Sequence, residues 1–312
     1  PEGRMIYTNF LDEDGGVHAD LTISRLGADR YRVVTGGADG NRDWVTLRNY
    51  RDDMGLNADI NIRTHDIATL GLWGPQAKNA LGNFVDPNEL TIENFPFVAA
   101  KNLTLNLSGG KKIDVWASRI SYVGESGWEI YLNNDSEEGL ALYDSLLEVG
   151  VVPVGIETYA NSRRLEKSFR LQGADLETEY NACESAIERR LVKEADFHGK
   201  AAHLVHREED PSAILCTMTL DNLNASGAGD RYPVGSSPII DPDTGEVPVD
   251  SKGRRSYSTG MSYCPSIKKF VVMGYLPKDI AKQGKSLSLE YFNEDGDGVY
   301  PMTVQIVGKG SL

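Results

Sequence analysis

The apolar pattern of the chain changes character near Ile214, and that switch limits what its last third can fold into. From there on, short apolar runs at 214–220, 256–262, 270–276, 286–292 and 299–307 alternate with turns rich in Gly, Pro and Asp. Each reads as a short strand with an apolar face. Strands of this kind bury that face against one another, as a barrel or sandwich. The charged stretch Glu208–Pro211 marks the switch, so a boundary is placed there, giving an α+β region at 1–208 and an all-β domain at 209–312. The segment 222–255, rich in Gly, Pro, Asp and Ser, reads as a loop excursion.

Upstream, helices and strands mix. Residues 4–36 read as two or three strands, with a turn at Asp12–Gly16. Asn41 or Asp43 is placed as the cap of a helix running to about Met54, with Trp44, Leu47 and Tyr50 on one face. Ile67–Trp73 is a strand, and Gly74-Pro75 opens a helix over Gln76–Phe84. Strands at 101–107 and 112–122 flank Gly109-Gly110. Ser136 caps a helix whose Leu140, Leu142, Tyr143, Leu146 and Leu147 form a core face. A further helix runs from about Gly155 to Phe169, and a short one spans 200–207. The subdomains of this region interleave, with the second at roughly 61–150.

Composition excludes several classes. The net charge of −14 repels nucleic acid. No apolar run approaches the ~20 residues that span a bilayer. Cys183, Cys216 and Cys264 are odd in number and far apart, which supports no disulfide framework and fits a reducing cytoplasm. No glycine pattern of a dinucleotide or P-loop site is present. His203 and His206 lack a third ligand nearby, and Asp241–Gly245 and Glu294–Gly298 lack the spacing of a calcium loop, so no metal is expected. Arg254-Arg255 and Lys268-Lys269 are the candidates for meeting an anionic ligand.

Chemistry concentrates in Arg119–Tyr131. A strand enters a turn marked by Gly124 and Gly127 and resumes, with Tyr122 and Glu129 seven residues apart across it. The glycines let a ligand approach the backbone beside a phenol and a carboxylate. The form Y-x-G-E-x-G-x-E resembles the folate-binding signature of the glycine-cleavage T-protein (aminomethyltransferase) family, which includes the C-terminal folate domains of dimethylglycine and sarcosine dehydrogenases. Further matches follow in order. Tyr7–Ile23 is similar to the family's Y-x-x-x-L-x-x-x-G-G-x-x-x-D-L segment, and Gly71–Leu81 to its G-x-x-G-P-x-A-x-x-x-L helix start. Asn161–Arg170 is similar to its L-R-L-E helix, with Glu166-Lys167-x-Phe169-Arg170 resembling the dehydrogenase branch. Asp196–Ala202 and Ser258–Pro277 resemble later segments.

The resemblance implies an α+β, T-protein-like folate-binding fold: two antiparallel-sheet α+β subdomains plus a C-terminal all-β barrel. It implies N-terminal truncation, because the family carries several tens of residues before the Tyr7 strand. It places the catalytic aspartate on Asp20 and folate-binding residues on Tyr7, Tyr122, Glu129 and Arg164. Without it, Asp20 reads as an exposed strand residue, and Arg164 and Glu166 as a salt bridge on a helix surface. The implied function is capture of a one-carbon unit from a small methylated amine such as dimethylglycine or sarcosine, as 5,10-methylenetetrahydrofolate. The cofactor is tetrahydrofolate, with FAD confined to an upstream flavin domain. The alternatives are an aminomethyltransferase of the glycine cleavage system and a non-catalytic folate-binding regulatory module.

Overall fold

The computed structural model describes residues 1–134, 136–221, 235–293 and 296–305. It has two compact units. Unit one comprises Pro1–Thr8 and Asp20–Val154, and unit two comprises Asn9–Ala19 and Gly155–Leu312. The chain passes from one to the other inside β1 (Met5–Leu11), back inside β2 (Val17–Arg25), and again after Val154. The expected boundary at 208/209 falls within unit two, between a helix and a strand.

In unit one, β2 pairs antiparallel with β3 (Tyr31–Thr35), with Leu21 opposite Thr35 and Ser24 opposite Arg32. Helix α1 (Gly40–Asp53) follows, and its N-cap is Asp39 rather than Asn41 or Asp43. Asp43 is instead buried, its carboxylate taken by the Thr35 hydroxyl and by Arg42, so an internal bond displaces the capping role. A second sheet is fully antiparallel, in the order β4 (Ile67–Trp73), β7 (Gly127–Asn133), β6 (Lys112–Arg119), β5 (Ala99–Asn106). Alternation along its strands splits the side chains between two faces. Leu72, Leu103, Val115 and Ile130 turn to a core that also holds Phe95, Trp128 and Leu81 of α2 (Ala77–Leu81).

Helix α3 (Ser136–Glu148) closes this core with Leu142 and Leu146. Leu140 is 61% exposed, and Tyr143 and Leu147 also face out, so the expected five-residue core face is in fact two. Residues 142 and 146 are four apart and share one stripe, whereas 140, 143 and 147 lie on another. The expected Ser136 cap lies outside the described side chains.

The second segment of unit two opens with a π-helical turn, Glu157–Arg163, that runs into α4 (Arg164–Glu166). The helix stops there, short of the expected Phe169. Ser168 takes a left-handed φ of 56°, and the Phe169 amide returns to the Arg164 carbonyl. Helix α5 (Lys200–Glu208) follows as expected.

The C-terminal strands are β8 (Ala213–Leu220), β9 (Ile239–Ile240), β10 (Ser258–Cys264), β11 (Lys269–Pro277), β12 (Ser286–Asn293) and β13 (Gly296–Gln305). They form one antiparallel sheet in the order β10-β11-β8-β13-β12-β9. Its two edges meet: the Ser258 amide donates to the Ser237 carbonyl at 2.8 Å, and Pro238 bridges Tyr257. The sheet therefore closes as a barrel around Met218, Phe270, Val272, Leu289 and Met302. Part of the loop excursion, 222–234, and the end of the last expected strand lie outside the described residues.

Candidate functional site

The second face of the four-stranded sheet is polar and aromatic. Register sets Trp116 opposite Tyr131 and Ser118 opposite Glu129, while β4 contributes Thr69 and Gly71 opposite Tyr131 and Glu129. Two glycines make the surface possible. A Cβ on Gly127 would stand 2.0 Å from the Leu72 carbonyl oxygen. A Cβ on Gly71 would stand 2.1 Å from the Trp73 ring, so the bare backbone leaves room for the indole. Trp73 Nε1 is then fixed by the Ile120 carbonyl at 2.8 Å.

Glu129 is half-buried on this face and accepts a hydrogen bond from the Tyr131 hydroxyl. Burial pushes the Glu129 carboxyl above the ordinary carboxylate range, and the Tyr131 bond opposes the shift in part. Tyr122 lies half-buried in the bend that joins β6 to β7. Gly124 in that bend has φ 73°, a conformation that favours glycine.

Strands β1, β2 and β3 form a three-stranded sheet in that order, on which Asp20 occupies the half-buried face of β2, and Ala19 and Leu21 turn into the interior. The Tyr7 hydroxyl of β1 donates to Asp20 Oδ2 at 3.1 Å. Burial raises the Asp20 pKa. The Tyr7 hydrogen bond lowers it in part, and Asp39 and Asp43 add to the rise. The pair is thus a carboxyl with its proton affinity raised, hydrogen-bonded to a phenol.

Arg164 lies in unit two and is 0% exposed, so the surface salt bridge is corrected. The π-helical turn brings it inward, where Nε bonds the Ala160 carbonyl at 2.8 Å and Nη1 bonds the Phe169 carbonyl at 3.1 Å. Nη1 also pairs with Asp175 at 2.5 Å. Asp175 accepts further from the Leu171 amide at 2.9 Å and from the Thr259 hydroxyl. Glu166 pairs with Arg163, not Arg164, at 3.0 Å.

Arg254, expected to meet an anionic ligand, is held at 2.6 Å by Glu184 and 2.7 Å by Asp250, over the Tyr180 ring. Those bonds depress the Glu184 and Asp250 pKa values against the opposing effect of burial. His203 is buried, which lowers its pKa. Among the described residues no group of three or more His, Cys, Asp or Glu is placed to hold a metal, and no described helix is long and apolar enough to cross a membrane.

Motif reading did not identify three residues of this region: Tyr131, Trp116 and Arg32. The Arg32 guanidinium lies 5.6 Å from the Trp116 ring and 5.5 Å from the Tyr131 ring. The period-two alternation of β6 and β7 carries the signal for the two aromatics, since both fall on the face that excludes the core residues.

Known proteins match this chain along nearly all its length. Dimethylglycine dehydrogenase, mitochondrial, of Homo sapiens is 28% identical over 308 residues, covering 97% of this chain and 32% of the relative. The chain therefore spans about a third of the length of that dehydrogenase. The aminomethyltransferase of Halothermothrix orenii is 28% identical over 293 residues, covering 92% of this chain and 74% of the relative. Among solved structures, the glycine cleavage system aminomethyltransferase T of Bartonella henselae superposes with a TM-score of 0.76 at 21% identity, covering 100% of this chain and 77% of that one. This likeness shows the T-protein fold expected from the motifs. The family model described as the GCVT N-terminal domain matches residues 1–194, more than half of the chain, and the chain belongs to that family as an aminomethyltransferase-like domain.

Proposed function

We propose that the chain binds tetrahydrofolate in unit one and passes a one-carbon unit derived from a methylated amine to it, forming 5,10-methylenetetrahydrofolate. The Tyr7–Asp20 pair carries this reading: a half-buried carboxyl with a raised proton affinity, tied to a phenol, on the strand where the family's catalytic aspartate falls. The residues present fit a reduced pterin. Glu129 is a half-buried acceptor among aromatic rings, suited to an amide-like donor edge. Tetrahydrofolate supplies two amines as nucleophiles for the one-carbon unit. Asp20 orients the amine that reacts, takes its proton and offsets the positive charge that develops there. Tyr7 keeps the carboxyl in place, and Tyr122 offers a ring and a hydroxyl at the turn.

The buried contacts of Arg164 support a role as a clamp within unit two, so we assign it to folate only as the weakest member of the set. The proposed donor is dimethylglycine or sarcosine, with the flavin oxidation done by a part of the protein outside this chain, as the dehydrogenase relative suggests. The division at 208/209 is kept as part of the same proposal.

A second reading, transfer from a lipoyl-carrier adduct in glycine cleavage, is favoured by one observation. The match covers 74% of the Halothermothrix orenii aminomethyltransferase but 32% of the human dehydrogenase. Calorimetric titration of the folded chain with tetrahydrofolate tests the shared claim, and absence of binding refutes it. Methylenetetrahydrofolate formation from formaldehyde, or from an aminomethyl-lipoyl carrier, then separates the two donors.

A further inference from the structure

Two buried donors on the polar-aromatic face of unit one have no hydrogen-bond partner among the described residues: Arg32 Nη1 and Trp116 Nε1. They belong to neighbouring groups, because the Arg32 guanidinium lies over the Trp116 ring and, beside it, over the Tyr131 ring. A buried donor left unpaired costs about 1–3 kcal/mol, so two together require an explanation. Arg32 is also cationic with no carboxylate acting on it among the described residues. Burial lowers its pKa, the Tyr131 hydroxyl opposes this, and Arg30 and Arg63 lower it further. The two rings answer the charge of Arg32 but do not accept the hydrogen bond that Nη1 could donate. Two neighbouring unpaired donors, one charged, beside aromatic rings have the chemistry of a carboxylate site.

We propose that Arg32 and Trp116 bind the carboxylate of a ligand that lies on the second face of the four-stranded sheet, next to Tyr131 and Glu129. The placement beside the pterin-binding carboxylate rests on the folate reading above, but the donor pair does not. Two ligands of that reading bear a carboxylate: the glutamyl tail of folate, and the methylated amino acid that gives up its one-carbon unit. Both present the same chemistry to Arg32. The guanidinium takes one oxygen, the indole N–H takes the other or shares it, and no proton or bond is exchanged.

The test uses the full chain and two pairs of probes. Tetrahydrofolate is compared with 6-methyltetrahydropterin, which keeps the ring and lacks carboxylates, and dimethylglycine with trimethylamine. In the wild type one pair is expected to show tighter binding of the carboxylate member by about tenfold or more, the value of one charged hydrogen bond. That pair names the source. Arg32→Leu is expected to abolish the difference while 6-methyltetrahydropterin affinity stays within about twofold, and Arg32→Lys to recover part of it. Trp116→Phe keeps the ring and removes the N–H, and should cut the carboxylate preference by about threefold even if Arg32→Leu does not fold. Equal affinity within both pairs in the wild type, a preference that survives Arg32→Leu, or an unchanged preference in Trp116→Phe overturns the proposal. Failure of both folate probes with a preserved dimethylglycine preference leaves the carboxylate site standing and removes the folate reading instead.

Discussion

Replacing Asp175 by Ala separates the structural account of Arg164 from its assignment as a folate ligand. Asp175 and Arg164 are both essentially without solvent contact, and the carboxylate answers three donors: Arg164 Nη1, the Leu171 amide and the Thr259 hydroxyl. Its removal leaves a buried guanidinium with no counter-charge and two further groups unpaired. A buried charge stripped of its partner costs about 3–5 kcal/mol, and the neutral donors do not add fully because the cavity relaxes. For a unit of this size each kcal/mol is about 2–4 °C in Tm, so scanning calorimetry should show the unit-two transition fall by roughly 6–20 °C. The double variant Arg164→Met/Asp175→Leu removes both charges and should recover most of the loss. Folate affinity of that double variant should match the wild type if Arg164 serves the interior alone. A cost below about 1 kcal/mol for Asp175→Ala would refute the buried-pair reasoning. A stable double variant that loses folate would return Arg164 to the site.

Three other outcomes follow from the geometry. Glu129→Ala should weaken tetrahydrofolate by about ten- to a hundredfold in calorimetric titration, since the pterin donors lose their acceptor, with Glu129→Gln intermediate. Asp20 has a raised pKa, so the folded state holds its proton more tightly than the unfolded state does; stability is fullest at low pH and is lost as pH rises through the interval from the unfolded to the folded value. Asp20→Asn should therefore stabilise the chain more at about pH 7 than at about pH 4 in urea titrations, while lowering methylenetetrahydrofolate formation by about a hundredfold. Gly127→Ala must displace the Leu72 carbonyl from 2.0 Å, and a loss of at least about 2 kcal/mol in unit one is expected from the same titrations.

The parts of this molecule that were legible in the sequence are those where one local rule decides. Ile67–Trp73 was read as a strand with the bounds the structure gives it, because alternation and the following Gly74-Pro75 agree. Five of the six barrel strands are similarly plain, each bounded by turns, whereas β9 (Ile239–Ile240) is a two-residue strand inside the stretch read as a loop at 222–255. Reading failed where two patterns overlap on one element. Apolar positions 140, 142, 143, 146 and 147 form two neighbouring stripes of one helix, and only the sheet decides that 142 and 146 are the ones covered. Asp43 is a good capping residue by type, yet the Thr35 hydroxyl at the end of the preceding strand takes its carboxylate, a contact that capping rules do not anticipate.

Arg164 and Arg32 show why site residues are harder still. Sequence pattern alone reads Arg164 as a surface salt bridge and does not single out Arg32, which lies between Tyr31 and Val33. Their difference is set entirely by what lies opposite. Arg164 meets a carboxylate, two carbonyls and the Met273 sulfur, so its donors are consumed by the fold and its charge is cancelled on the spot. Arg32 meets two aromatic faces that accept its cation but none of its hydrogen bonds, beside an indole whose own donor is unpaired. Interior electrostatics favours the first arrangement without any ligand. The second leaves one buried donor of a half-buried guanidinium unmade, beside a second unpaired donor on Trp116. Resemblance to the family's motifs points to Arg164. Ranking arginines by unmet donors selects Arg32, and the two criteria point to different halves of the chain.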